Sequence, residues 1–291
     1  MENIRYRIYA KIGELAQGYL SEQEPFLVSN LSSASLFSET VLREEYTNTL
    51  SLNDKARQAY LAFLDVYRNL QQGAAKLLPE GQYLQIQQLS NIPKGKGLSS
   101  SSADILGVLC CLNQYFCYPF DTKSLYRIAA SIEPTDPLLS PGITVFNQKK
   151  GSILSEFNDF PYAIMYFDCS PEKEIDTLVA TRNRIIDEDY IAISTRILLD
   201  LQLAVCDRDY SAFFRSITES AKLNQRFLPQ TGFNELLDYA KTFNTGVFVA
   251  HTGTIMGFVV KPEDIHISAY LRRLINKRWG TELFVEKGLF L

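Results

Sequence analysis

The sequence predicts an α+β protein in two halves, and three observations carry that expectation. Its 291 residues are 46% hydrophobic, enough for one large domain or two smaller ones with a full core. Gly81 to Phe116 reads as a strand, then a loop rich in Pro, Gly and Ser, then a strongly apolar helix. After about residue 170 the strand-like texture gives way to three helical stretches before strands return.

Taken in order, "RYRIYAKI" and "FLVSNLSSASLF" alternate as half-buried strands do, with "EYTNTLSL" a third. A helix is expected over residues 53–78, with Ser51 and Asn53 as capping candidates and Ala59, Phe63, Val66 and Leu70 at helical spacing. It stops before Pro79 and Gly81. "GQYLQIQQLS" predicts a strand, "ADILGVLCCLNQYF" a buried helix and "TKSLYRIAASI" a second helix, followed by the Pro-broken "EPTDPLLSPG". "ITVFNQ", "GSILSEF" and "YAIMYFD" predict strands. Helices are expected near 187–206, 209–227 and 233–243, then a strand pair over "GVFVAHTGTIMGFVV", a helix over "EDIHISAYLRRLINKRW" and a last strand "ELFVEKGLFL". The boundary between halves falls between about 155 and 185, with no linker composition to mark it.

Composition narrows the partners. A net charge of −4 and the lack of a basic block give no general attraction to nucleic acid or an anionic membrane. No apolar run is long enough to span a bilayer, and "MENIRYRIYA" lacks the succession of a signal peptide, so a cytoplasmic protein is expected. Cys110, Cys111, Cys117, Cys169 and Cys206 lack metal-ligand spacing and read as reduced core residues. With only His251 and His266, a histidine-based metal site is not expected.

The stretch "NIPKGKGLSSSSADILG" sits between a strand and an apolar helix, so it is not a linker. Helix N-termini expose unpaired N–H groups and favour anions. Gly95 and Gly97 let backbone approach a ligand, the serines add hydroxyls, and Lys94 and Lys96 would add charge at the rim. The spacing is neither G-x-x-x-x-G-K-[ST] nor G-x-G-x-x-G. On composition alone it is either a phosphate loop or a Ser-capped helix start, and a cap explains one serine rather than four.

"PKGKGLSSSSAD" resembles the phosphate-binding signature of the GHMP small-molecule kinases: Pro, three variable residues, Gly-Leu, a small residue, Ser-Ser, a small residue, Ala. "GELAQG", "IEPTDPLLSPGITVFNQKKG" and "GVFVAHTGTIMGFVV", with "EIDTL" more weakly, are similar in order to the L-threonine kinase branch associated with cobalamin synthesis and propanediol utilisation. The resemblance implies a two-lobed fold: an ATP-binding domain over residues 1–165 and a smaller, ferredoxin-like C-terminal domain over 166–291. It implies transfer of the ATP γ-phosphoryl group, with Mg²⁺, to the hydroxyl of a free amino acid, L-threonine ahead of L-serine or homoserine. A kinase of another small alcohol and a non-catalytic nucleotide or metabolite binder are the alternatives. Oligomeric state stays open, a homodimer included.

The same resemblance assigns the nucleotide to Pro93, Lys94, Gly95, Lys96, Gly97, Leu98, Ser99, Ser100, Ser101 and Ser102, and Mg²⁺ to Ser101, ahead of Ser100, and Glu133. Asp136 would be the general base, or else a turn residue before proline. Lys11 would add positive charge near the phosphates. Glu14 would meet the substrate amino group and Gln17 would line its pocket, unless "GELAQG" is only a strand-end turn. Asp176, Thr252 and Gly253 are further substrate-side candidates. His251 is read as a packed or orienting residue rather than a base. Two departures stand out: "IYAK" replaces the expected Cys-Pro-small-Ser approach, and "AHTGTIMG" replaces a Gly-Ala-Gly-Gly loop.

Overall fold

The structure is a computed structural model that describes residues 3–45, 52–70, 83–157, 160–182 and 184–287. Strands β1 (Ile4–Lys11), β4 (Ser32–Glu45) and β5 (Tyr83–Ser90) form an antiparallel sheet in the order β1-β4-β5. A second sheet has eight strands. It combines β2 (Glu14–Ser21), β3 (Glu24–Ser29), β6 (Ile143–Asn147) and β7 (Ser152–Phe157) with β8 (Ala163–Asp168), β9 (Gly246–Val249), β10 (Ile255–Val260) and β11 (Phe284–Lys287). Its order is β11-β8-β10-β9-β2-β3-β6-β7.

Eight helices complete the chain among the described residues: α1 (Asp54–Leu70), α2 (Ser100–Tyr115), α3 (Thr122–Ile132), α4 (Thr177–Arg182), α5 (Glu188–Cys206), α6 (Tyr210–Asn224), α7 (Phe233–Phe243) and α8 (Ser268–Trp279). Helix α2 is buried from Ser102 to Asn113, as an apolar run without a polar face must be. It packs on α1, α3, β1 and β4. Asp121, Asp187 and Asp209 each accept first-turn N–H bonds at the starts of α3, α5 and α6. No helix among the described residues is long and apolar enough to cross a membrane.

Several expectations change. Helix α1 has Asn53 Oδ1 accepting from Ala56 N at 2.9 Å, but Val66 and Leu70 are exposed and the buried face is Ala56, Ala59 and Phe63. Ser51, most of "EYTNTLSL" and residues 71–82 lie outside the described residues. Cys110, Cys111 and Cys169 are buried thiols, whereas Cys117 and Cys206 are exposed. "FLVSNLSSASLF" is two strands, broken at Asn30 and Leu31, where Asn30 donates to the Ile12 carbonyl. Residue 165 lies inside β8, which pairs with β10 and β11, so that strand sits whole with the C-terminal half.

Strand β2 was not expected at all. Six of its eight residues are buried without alternation, because β3 pairs along one edge while α5 and α6 approach the other. It meets β9 at a single pair, Glu14 with Val249. Beyond it the sheet opens. There Gln17 N donates to Ser220 Oγ at 2.9 Å and Tyr19 N to Ser194 Oγ at 3.1 Å, so hydroxyls from the two helices take the place of a neighbouring strand. Gly18 permits this approach, since a Cβ there would lie 2.2 Å from the Ser194 Cβ.

Candidate active site

The first turn of α2, the segment after α3, the start of β2 and the loop between β9 and β10 converge on one cleft of about 480 Å³. Glu133 caps the end of α3 in extended conformation, which the following Pro134 enforces. The chain then stays extended to Thr135, whose N–H bonds the Gln148 carbonyl at 3.0 Å.

Two consecutive serines tie α2 to that segment. Ser101 Oγ donates to Glu133 Oε1. Ser102 Oγ accepts from Asp136 N at 3.1 Å and lies 3.4 Å from Asp136 Oδ2. Ser101, rather than Ser100, is therefore the hydroxyl paired with Glu133, and Ser102 is more than a small filler. Lys55, in the first turn of α1, holds the other Glu133 oxygen. Nothing in the sequence near Lys55 announced this contact, because it depends on where α1 begins relative to a segment far along the chain.

Deeper in the cleft Lys11 Nζ lies 2.7 Å from Glu14 Oε1 and 2.7 Å from Asp136 Oδ1. Lys11 is 1% exposed and lies behind the cleft wall, where it holds the two carboxylates in place. Burial works against its ammonium, yet Asp136 and Glu14 outweigh burial and raise the pKa above the ordinary lysine value. Burial pushes the Glu14 carboxyl up, and Lys11 opposes that shift.

Glu14 Oε2 accepts from His251 N. His251 Nδ1 lies 2.5 Å from Gln17 Oε1 and 3.2 Å from Arg184 Nη1, so both side chains orient the ring. Gln17 is buried and does not line the cleft. Arg184 closes this network: Nη2 donates to the His251 carbonyl at 2.8 Å, Nη1 lies 3.4 Å from Nε2, and the guanidinium stacks 5.1 Å from the Phe227 ring. Burial, with Arg184 and Lys11, holds His251 well below its ordinary pKa, so the ring is neutral at pH 7.

The remaining candidates separate into wall and support. Lys94, Gly95, Gly97, Leu98 and Ser99 to Ser102 line the cleft with Glu14, Glu133, Asp136, Asp176, His251 and Thr252. Ser99 starts α2 in the left-handed region without a side-chain cap, which excludes the simple Ser-cap reading. Pro93 is exposed outside the cleft, and Lys96 turns away from it. Asp176 Oδ1 accepts from Val179 N at 3.1 Å, beginning α4. Gly253 packs against the Lys96 carbonyl instead of lining the cleft. Asp104, missed in the sequence because it lies inside the apolar helix, lines the cleft and accepts from Ser38 at 2.5 Å and Asn53 at 2.8 Å. The Ser101 hydroxyl and Glu133 carboxylate are hard oxygen donors of the kind Mg²⁺ takes, and both line the cleft.

Residues 62–138 match the family model of the GHMP kinases N-terminal domain. An L-threonine kinase of Citrobacter freundii is 24% identical over 96% of this chain and 94% of its own. An L-threonine kinase of Salmonella typhimurium is 25% identical over 65% of this chain and 64% of its own. The solved homoserine kinase of Cytophaga hutchinsonii superposes over 100% of this chain and 96% of its own, with a TM-score of 0.72 at 15% identity.

Proposed function

From a chain with a GHMP kinases N-terminal domain and the fold of those kinases, we propose an ATP-dependent kinase that phosphorylates the side-chain hydroxyl of free L-threonine, giving O-phospho-L-threonine and ADP. The observation that carries it is the pair of adjacent serines, Ser101 bonded to Glu133 and Ser102 to Asp136, at the start of a buried helix. One helix turn thus holds two carboxylates three residues apart. They suit the two demands of phosphoryl transfer, neutralising charge and orienting the nucleophile.

In this reading the N–H groups of residues 97–102 and the N-terminal end of α2 receive the phosphates. Ser101 and Glu133 hold Mg²⁺, which when bound supplies charge neutralisation on the transferring group. Asp136 keeps Oδ1 on Lys11 and turns Oδ2 to the acceptor hydroxyl, taking its proton as the phosphoryl group departs from ADP. Glu14 offers its carboxylate to the substrate ammonium, and Thr252 closes the acceptor side. The L-threonine kinases of similar length support the acceptor assignment.

The test is ADP release with Mg·ATP and a panel of amino acids and small alcohols. Turnover should be highest with L-threonine, above L-serine and homoserine; tight ATP binding with no turnover on any acceptor would sink the reading. Glu133→Ala should retain the fold by circular dichroism and lose most Mn²⁺ binding by electron paramagnetic resonance. Unchanged Mn²⁺ affinity would remove Glu133 from the metal site.

A further inference from the structure

Lys96 sits in the middle of the phosphate-loop signature, yet its ammonium leaves the cleft. Lys96 Nζ lies 3.1 Å from the Ser170 carbonyl oxygen, 2.8 Å from that of Pro171, 2.5 Å from that of Lys173 and 2.9 Å from Asp168 Oδ2. The residue is 7% exposed. Asp168 is itself held by the turn, since Oδ1 accepts from Ser170 N at 3.0 Å.

The main chain repeats the attachment. The Lys96 carbonyl accepts from Thr254 N at 3.2 Å and Ile255 N at 3.3 Å, and the Gly95 carbonyl accepts from Ile175 N at 3.0 Å. The phosphate loop is therefore fastened on one side to the turn after β8 and on the other to the start of β10. Both belong to the C-terminal half of the chain.

Three backbone carbonyls and one carboxylate around a buried positive charge form an oxygen cage. Such cages recognise a monovalent cation by charge and size, as rings of carbonyls do for K⁺. An ammonium brings three donors to four oxygens, so the cage offers one acceptor more than the amine can bond at once. Emptying it would leave one carboxylate and three carbonyls facing each other, which is costly in a buried place.

We propose that Lys96 is a positioning residue whose ammonium acts as a built-in monovalent cation, locking residues 94–99 to the turn 168–173, and that a truncated residue 96 makes the loop depend on K⁺ or methylammonium. Only the functional consequence, a loop set for nucleotide, rests on the kinase reading.

The decisive measurement is amide hydrogen exchange on the full chain without nucleotide, over peptides spanning 92–100 and 168–176. Lys96→Ala should speed exchange in both segments, and KCl or methylammonium chloride should restore protection where choline chloride at equal ionic strength does not. Lys96→Met, which fills the same space and blocks an ion, should speed exchange in both segments with no ion rescue. Binding of a fluorescent ATP analogue should follow the same pattern, weakening about tenfold in Lys96→Ala and recovering with KCl but not choline. Unchanged exchange in both variants, or equal rescue by choline, overturns the proposal. If wild-type protein phosphorylates no acceptor, the kinase reading fails while the exchange and rescue data still decide the cage.

Discussion

Lys11 is a buried cation held between two carboxylates, Glu14 and Asp136. A buried cation between two carboxylates is stable only as a unit, and removing one partner of such a set typically costs about 3–5 kcal/mol. Lys11→Met should lower urea-denaturation stability by about that amount and reduce turnover by orders of magnitude, since Glu14 and Asp136 would repel each other across the vacated place. Turnover within tenfold of wild type would show that the carboxylates hold their geometry unaided. His251 makes the opposite electrostatic case. Its native pKa is depressed while the unfolded value is about 6.5. Between those values the unfolded chain binds a proton that the native chain refuses. Stability therefore rises with pH up to about 6.5 and is lost on acidification below it, by up to about 1.4 kcal/mol per pH unit. The thermal midpoint should fall as pH drops from about 7 to 5.5, and His251→Gln should flatten that fall; an unchanged slope would assign the acid sensitivity elsewhere.

At the scale of elements, the serine loop before α2 and the β9–β10 loop interlock. Gly97 has φ +83°, and a Cβ there would lie 2.3 Å from the Ala250 Cβ and 2.4 Å from the Thr252 carbonyl oxygen. Gly97→Ala should shift the loop and weaken nucleotide binding about tenfold or more by titration, with little loss of helix content. Unaltered affinity would mean that the two loops are not set by this contact. The serine loop and α2 were legible in the sequence because their composition is extreme: four hydroxyls followed by an apolar run with no polar face. Glu133 and Asp136 were legible only through the resemblance of "IEPTDPLLSPG" to the kinase pattern, since a carboxylate before a proline is otherwise an ordinary helix-end or turn residue. Strand β2 was not, because alternation fails where a strand is buried along nearly its whole length. Lys55 and Arg184 were equally hidden, since each reaches the site from a distant element without a local pattern. Lys96 shows the further limit that sequence locates a charge but not the direction of its side chain.

For the whole molecule, the sequence changes texture after about residue 170, while one eight-stranded sheet joins strands from before and after that point. A boundary placed in that sheet has to fall between strands, and position 165 does not. The site draws residues from both sides of it: Lys11, Glu14, Ser101, Glu133 and Asp136 before, His251 and Thr252 after. Function at that scale is a matter of bringing the β9–β10 loop against the start of α2, which α6 supports by packing on both β2 and β9.

The opening of that sheet beyond Glu14 has another consequence. A strand with unpaired N–H groups is a template on which a second chain can add, and proteins cover such edges or suffer aggregation. Here the edge of β2 is internal and is silenced by the hydroxyls of Ser194 and Ser220. Those two serines satisfy main-chain N–H groups that would otherwise be left without partners in the interior where the sheet splits.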